Sequence, residues 1–322
     1  MEQLPLAVAA VIGVPAATAG YVVLAERLIE MLPDRRRRAV RPWVWLAPAL
    51  LLLAVFLVYP ALQTLWVSLR DANSVNFVGL ENYIYVFGDS VMLIALRNNV
   101  IWLVFFTGVT VALGLLIAVL SDRVPYEGIA RAVVFLPMAI SFVAAGVIWK
   151  FMYDYRPPGL PQTGTLNAVL TALGFEPQAW LINTPTNNLA LIAVAVWTWT
   201  GFCVVILSAA LKGIPDEVLE ASRVDGANEW QIFRYVILPL ISPTVAVVTT
   251  TMIIFALKAF DIVYVMTNGN FDTEVIANRM YKEMFNFRHF GRAAAIAVVL
   301  LLAIVPVMLM NIRRFRFQEE TR

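Results

Sequence analysis

The chain has 322 residues, of which 61% are hydrophobic and only 14% charged, and its formal net charge is +2. Soluble domains average about 25% charged residues, so this composition excludes an ordinary cytosolic enzyme, and it excludes disorder, which requires the opposite bias. The near-neutral charge leaves no nucleic-acid footprint, one cysteine (Cys203) excludes an internal disulfide, and one histidine (His289) excludes a multi-histidine metal centre; what remains is a membrane protein.

A spanning helix needs about 20 apolar residues, because about 30 Å of hydrocarbon is crossed at about 1.5 Å per residue. Seven stretches qualify, at residues 4–24, 43–67, 99–120, 129–151, 189–211, 244–267 and 293–312. The expected fold class is therefore an all-α integral membrane protein of seven helices. The first stretch follows Glu2 and has no Lys or Arg ahead of it, the wrong charge for a secretory signal. Arg35, Arg36, Arg37, Arg38 and Arg41 come after it, and basic loops stay in the cytoplasm. It reads as a retained helix with its N-terminus outside. That orientation puts 15 of the 24 Lys and Arg residues on the cytoplasmic side and eight outside, with Lys258 inside a span. The C-terminus is then cytoplasmic.

In the third span, Thr107, Thr110 and Gly114 at i, i+3, i+7 form a close-packing face, and Pro137 is expected to kink the fourth span. External loops are expected at 71–96, 154–188 and 268–292; the middle one carries Pro157, Pro158, Gly159, Pro161 and Gly164, the chemistry of ordered turns. In the fifth span Trp197, Thr200, Gly201 and Ser208 share one stripe, since position 208 lies about 20° from 197 at about 100° per residue. The stripe suits a path for a polar, uncharged solute, and it equally suits helix packing through small residues. Trp199 lies about 200° from Trp197 and is expected to face lipid or to pack.

Between the fifth and sixth spans, residues 212–243 read as two short helices. Pro215 suits the first helical position, and Asp216 and Glu217 complement the helix dipole. Gly226 fits the left-handed position that stops the first helix after Asp225. A second helix is expected from Asn228, broken by Pro239 before the membrane. Val218, Ala221, Ser222 and Asp225 fall on one face of the first helix. A helix of about 11 residues is not stable alone in water, so it either docks in a cleft of another protein or lies on its own bundle. In the sixth span Lys258 and Asp261 are three residues apart, where a continuous helix lets them pair, with Thr251 and Phe255 on the same face and Tyr264 one turn on. Intramembrane charges face the bundle interior or a water-filled cavity, as a functional pair or as a structural one.

Glu220-Ala221-Ser222, Asp225-Gly226-Ala227, Phe233, Val236, Leu238-Pro239 and Pro243 resemble the EAA loop of membrane subunits of binding-protein-dependent ABC importers, with Ser222 for Ala and Val236 for Ile. Gly79-Leu80-Glu81-Asn82-Tyr83, the stretch from Leu257 to Thr267 and Gly291-Arg292-Ala293-Ala294-Ala295 are similar to further signatures of the maltose-type sugar permeases, nearest to the α-glucoside permeases. The resemblance spans residues 43–315 and implies a six-helix permease core there, preceded by an extra transmembrane helix and basic cytoplasmic linker at 1–42 and followed by a cytoplasmic tail at 316–322. It implies half of a sugar pathway in a bacterial or archaeal inner membrane. The implied partners are a second related permease, an ATPase dimer, an extracytoplasmic sugar-binding protein and membrane lipid, with no nucleic acid. Glu220, Ala221, Ser222, Asp225 and Gly226 would form the coupling loop on the ATPase, Glu220 through a charge-assisted contact and Asp225 through hydrogen bonds within the loop. Trp197, Thr200, Lys258, Asp261 and Tyr264 would line the pathway. The chain contains no Gly-Lys dipeptide and hence no P-loop; no cofactor is expected on it, ATP and Mg belonging to the ATPase, and no catalytic residue or metal site is assigned. The alternative is a secondary transporter driven by an ion gradient through Lys258 and Asp261.

Overall fold

The computed structural model describes the backbone of residues 4–122 and 124–320, and side chains from 13 to 310 except Val14 and Arg123. Its secondary structure is helical throughout, apart from one isolated bridge between Arg70 and Phe77. Two compact units, Met1–Thr64 and Leu65–Arg322, divide the chain. In the first, α1 (Leu4–Glu30) turns through residues 31–33 into α2 (Asp34–Leu53), which continues through a π turn (Ala54–Val58) into α3 (Tyr59–Val67). The second unit begins with α4 (Glu81–Gly88), α5 (Ser90–Ser121), α6 (Glu127–Phe135) and α7 (Phe142–Met152). Next come α8 (Thr165–Ala172), α9 (Thr186–Lys212), α10 (Asp216–Val224), α11 (Glu229–Ile232) and α12 (Leu238–Leu257). It closes with α13 (Asp261–Met266), α14 (Ile276–Tyr281) and α15 (Phe290–Glu320).

Among the described residues five helical segments are long and apolar enough to span: Asp34–Val67, Ser90–Ser121, Thr186–Lys212, Glu229–Met266 and Phe290–Met310. A sixth is the pair Glu127–Ala139 and Phe142–Met152. The first expected span, 4–24, falls in α1, where residues 4–12 and 14 are described by backbone alone and so lie outside the described side chains. The fourth span is not the kinked helix expected from Pro137. A short 3₁₀ turn, Leu136–Ala139, ends the first half, the two halves meet at 97°, and Ser141 restarts the helix by accepting from the Ala144 amide at 3.2 Å.

Pro239 does not break the second helix of the central loop either. A π turn, Phe233–Ile237, joins α11 to α12, with the Leu238 amide donating to the Phe233 carbonyl five residues back. Proline lacks an N–H and its ring crowds the carbonyl four residues earlier. For Pro239 that residue is Tyr235, inside the π turn, whose wider spacing already releases the carbonyl. Pro60 repeats the arrangement, its residue four back being Phe56 within Ala54–Val58.

The core of the larger unit is built on α9, two-thirds of whose hydrophobic window is buried. Glycines let its neighbours approach. A Cβ on Gly114 of α5 would collide with Cβ of Cys203, and one on Gly201 would meet Cα of Phe135 at 2.6 Å. Thr107 and Thr110 are buried on the same side of α5, which makes the expected packing face a real one. A second cluster, Val86, Met92, Ala95, Ile276, Ala295 and Ile296, joins α4, α5, α14 and α15. Asn82 fastens the far end of that cluster by donating to the Ser68 carbonyl at 2.9 Å and the Arg70 carbonyl at 2.7 Å. Gly291 lies so close that a Cβ would meet Asn82 Nδ2 at 2.8 Å. The Gly79–Tyr83 and Gly291 motifs are therefore two halves of one clasp.

Overpacking a filled contact costs about 1–3 kcal/mol. Gly201→Val is expected to lower the thermal unfolding midpoint of the purified chain by several degrees. Gly108→Val, where a Cβ meets nothing within 4 Å, is expected to leave it unchanged.

Candidate coupling loop and translocation site

α10 is a nine-residue helix with no buried residue. A helix this short holds its shape only with help at its ends, and here the help comes at the C-terminal end of α10 and the start of α11; the N-terminal end, at Pro215, has no side-chain cap. At the C-terminal end the Ala227 amide donates to the Ser222 carbonyl at 3.1 Å and the Gly226 amide to the Arg223 carbonyl at 3.0 Å. This is the Schellman pairing, made possible by Gly226 at φ +82°. Asn228 then opens α11 with a capping box: its side chain accepts from the Gln231 amide at 2.9 Å, and the Gln231 side chain accepts from the Asn228 amide at 2.8 Å. Glu220, Ala221 and Asp225 are exposed, and the Ser222 hydroxyl is turned back to the Val218 carbonyl at 2.8 Å. The loop is not fixed by Asp225, whose carboxylate makes no hydrogen bond with any described residue; backbone groups and Asn228 do that work. Ahead of the loop, Lys212 at the end of α9 reaches Glu127 of α6 at 2.5 Å, and Arg131 holds the same carboxylate at 2.7 Å.

The five residues expected to line the pathway fall in three places. Trp197 and Thr200 border a cavity of about 660 Å³ between α5, α6 and α9, lined otherwise by aliphatic and aromatic groups. The Thr200 hydroxyl is taken up by the Val196 carbonyl at 2.6 Å, and Trp197 meets Trp149 edge-on at 5.5 Å. Lys258 and Asp261 border a second, small cavity of about 60 Å³ with Trp102, Phe142, Trp199 and Phe255. Tyr264 belongs to neither; it stacks on Phe260 at 5.2 Å and meets Tyr281 edge-on at 5.1 Å. Trp199, set aside in favour of Trp197, is thus the tryptophan that shares a cavity with the two charges. It packs on Phe255 at 3.8 Å and on Phe142 at 5.6 Å.

Lys258 and Asp261 do not pair. α12 stops at Leu257, Phe260 takes φ −146° and ψ −65°, and α13 starts again at Asp261. The i, i+3 proximity of a continuous helix is lost, and neither side chain makes an ion pair with a described residue.

The break is supported by residues the sequence gave little reason to single out. Asn99 donates to the Leu257 carbonyl at 3.2 Å and accepts from the Ile276 amide at 2.8 Å. Asn98 donates to the carbonyls of Asp272 and Glu274 at 2.7 and 2.8 Å, Asn188 donates to Asn98 at 3.1 Å, and Asn187 donates to the Phe271 carbonyl at 2.5 Å. These amides hold a turn in which Asn268, Gly269, Phe271 and Asp272 all have positive φ. Glu274, fully buried, pairs with Lys282 at 2.7 Å, and buried Glu283 pairs with Arg279 at 2.7 Å. Tyr85 donates to Glu283 at 2.8 Å; burial first, then that bond, pushes its hydroxyl up to about 12, so it remains a donor. The available signal was two Asn-Asn pairs standing just ahead of apolar runs. At the same end of the bundle, Lys150, Tyr155, Trp180 and Asn270 border a third cavity, of about 450 Å³.

Comparison with known proteins follows the same outline. Residues 85–315 match a family described as the inner membrane component of binding-protein-dependent transport systems. The osmoprotective compounds uptake permease protein GgtC of Synechocystis sp. is 59% identical over 279 residues, covering 87% of this chain and all of that protein. The alpha-glucoside transport system permease protein AglF of Rhizobium meliloti is 50% identical over 280 residues, 87% of this chain and 83% of its own length. In fold, the chain is similar to a crystal structure of a bacterial ABC transporter involved in the import of the acidic polysaccharide alginate. The TM-score is 0.70 at 23% identity, over 87% of this chain and 99% of that one.

Removing an N-cap costs about 1 kcal/mol. Asn228→Ala is expected to speed amide hydrogen exchange across α10 and α11 roughly fivefold, while exchange in α9 is unchanged; mass spectrometry of peptides from these helices checks both.

Proposed function

The chain belongs to the family of binding-protein-dependent transport system inner membrane components and is a permease subunit of an ABC importer, and we propose that its cargo is an uncharged sugar of the α-glucoside class. The coupling reading is carried by α10, a rigidly capped helix that buries none of its residues in its own chain. The cargo reading rests on the 50% identity to an α-glucoside permease. Family membership removes the alternative of a transporter driven by an ion gradient, and Lys258 and Asp261, unpaired on a cavity wall, are left without that role.

In this reading the α10 side is cytoplasmic and the N-terminus lies outside. α10 sits in a cleft of an ATPase subunit, with Glu220 supplying the charge-assisted contact, Ala221 permitting close approach and Asp225 free to add a second carboxylate. A related permease forms the other half of the pathway, and an external binding protein delivers the sugar at the end where the asparagine-held turn lies. ATP and Mg are bound by the ATPase and not by this chain. Closure of the ATPase dimer carries α10 with it as a rigid body, and Lys212 passes that displacement to α6 through Glu127. On this reading the cavity of about 60 Å³ bordered by Trp199, Lys258 and Asp261 widens to admit the sugar, with Trp199 as an aromatic wall and Lys258 and Asp261 as hydrogen-bonding groups. Aromatic walls with a few convergent polar groups suit an uncharged polyol. The 59% identity to an osmoprotectant permease favours a second cargo class, small compatible solutes, which belongs in the same assay.

The test is ATPase activity of the reconstituted complex across a panel of α-glucosides and compatible solutes. Glu220→Ala is expected to weaken the response to cargo about tenfold or more, the scale of one charge-assisted hydrogen bond; full stimulation in that variant overturns the docking role. Lys258→Gln is expected to raise the half-saturating cargo concentration severalfold with the unfolding temperature unchanged, since Lys258 has no ion-pair partner to lose among the described residues. Trp197→Phe, on the apolar cavity, is expected to leave cargo affinity as it is.

A further inference from the structure

The arginine cluster at the start of α2 is divided by its surroundings into two sets. Arg41 pairs with Glu26, and Arg37 lies 3.8 Å from Glu30, both carboxylates belonging to α1. Positions 37 and 41 are about 40° apart on a helix of about 100° per residue, so this side of α2 faces α1, where Tyr21 also donates to the Val44 carbonyl. Arg35, Arg36 and Arg38 occupy the remaining arc, are exposed, and their side chains carry no ion pair or hydrogen bond with any described residue.

Below them stand two exposed tryptophans, Trp43 at 68% and Trp45 at 43%. Trp43 is about 20° from Arg36 and Trp45 about 20° from Arg38, in each case seven residues or about 10 Å along the axis. Each tryptophan therefore lies under an unpaired guanidinium on the same side of the helix. From Leu46 onward α2 presents apolar side chains all round, and none of its span is buried. Guanidinium, indole and hydrocarbon surface follow one another in the order of a lipid's phosphate, interfacial region and acyl chains, tryptophan being the residue that sits at headgroup level.

We propose that Arg35, Arg36 and Arg38 bind anionic phospholipid headgroups around the arc of α2 outside its contact with α1, with Trp43 below Arg36 on one flank and Trp45 below Arg38 on the other. The chemistry selects a phosphodiester with a net negative charge. Guanidinium groups bind phosphate oxygens in bidentate fashion, and none of the three arginines is ion-paired with a described carboxylate, the neighbouring Asp34 included. Zwitterionic lipid offers the same phosphate with a compensating cation and gains less. The carboxylates of Glu26 and Glu30 neutralise Arg41 and Arg37, so charge on the α1 side adds little.

Full-length chain is purified, stripped of lipid and titrated with phosphatidylglycerol or phosphatidylcholine under native mass spectrometry. Wild type is expected to retain phosphatidylglycerol over phosphatidylcholine. Arg35→Gln, Arg36→Gln and Arg38→Gln together are expected to reduce that affinity on the order of a hundredfold, from the contributions of three interfacial arginines. Arg37→Gln with Arg41→Gln removes nearly as much positive charge from the α1 side and is expected to leave it within a fewfold. Undiminished phosphatidylglycerol binding by the triple variant, or an equal loss in the double variant, overturns the site. Displacement of phosphatidylglycerol by an equal concentration of inorganic phosphate also overturns it, since a site for free phosphate is then the correct description.

Discussion

Everything in the larger unit depends on one constraint: within hydrocarbon, a backbone polar group that leaves a helix must find a partner inside the protein. An unpaired carbonyl or amide there costs several kcal/mol, more than a helix break can recover by itself. The interruption at residues 258–260 exists because Asn99 takes the freed Leu257 carbonyl with its amide and the Ile276 amide with its carbonyl oxygen. One side chain thereby ties the end of α12 to the start of α14. Asn98, Asn187 and Asn188 do the same for the turn that follows α13. Asparagine suits this position because it offers donor and acceptor without a charge to bury. The cavity bordered by Lys258 and Asp261 lies where the helix is interrupted, so the position of the candidate pathway is set by where the backbone could be satisfied.

Water imposes no such demand at the other end, and the coupling loop is built differently. Its turns are closed by its own backbone and by an exposed capping box; α10 buries no side chain, and the one buried residue of α11 is Ile232 at its end. The turn at Gly226 and the cap at Asn228 depend on no group outside the loop. That independence is what a docking element needs, and it explains how a helix too short for isolated stability can project from the bundle with its carboxylates exposed.

What was legible in the sequence divides along the same line. Helix caps are local, so Gly226 and Asn228 could be placed from spacing alone, Pro215 fell one position outside the helix as its extended N-cap instead of its first residue, and long apolar runs located the spans from the second onward. Non-local partners could not be read. Pro239 looked like a breaker because nothing in one dimension announces the π turn at Phe233–Ile237 that absorbs it. Lys258 and Asp261 looked like a pair because i, i+3 spacing assumes an unbroken helix, and Asn99, which stabilises the break, lies some 160 residues away in sequence. Trp197 and Trp199 face opposite sides of α9, as helical phase requires. Phase does not say which side meets the cavity, and that depended on Phe142 and Phe255 arriving from other helices.

Glycine contacts and helix interruptions together decide where this bundle can yield. α9 is locked to α5 at Gly114 and to α6 at Gly201, contacts so close that neither surface can slide without collision. Close-packed interfaces of this kind move as blocks and do not deform. α12 has no such lock at its two ends; it begins after a π turn at Phe233–Ile237 and finishes at the break held by Asn99. A displacement of α10 thus meets a stiff block through α9 and a segment with two weak points through α12. The second weak point is the wall of the cavity that carries Lys258, Asp261 and Trp199. On the proposed coupling role, movement at that loop is absorbed at this cavity, and the interruption that creates the polar site is also where the proposed pathway changes shape.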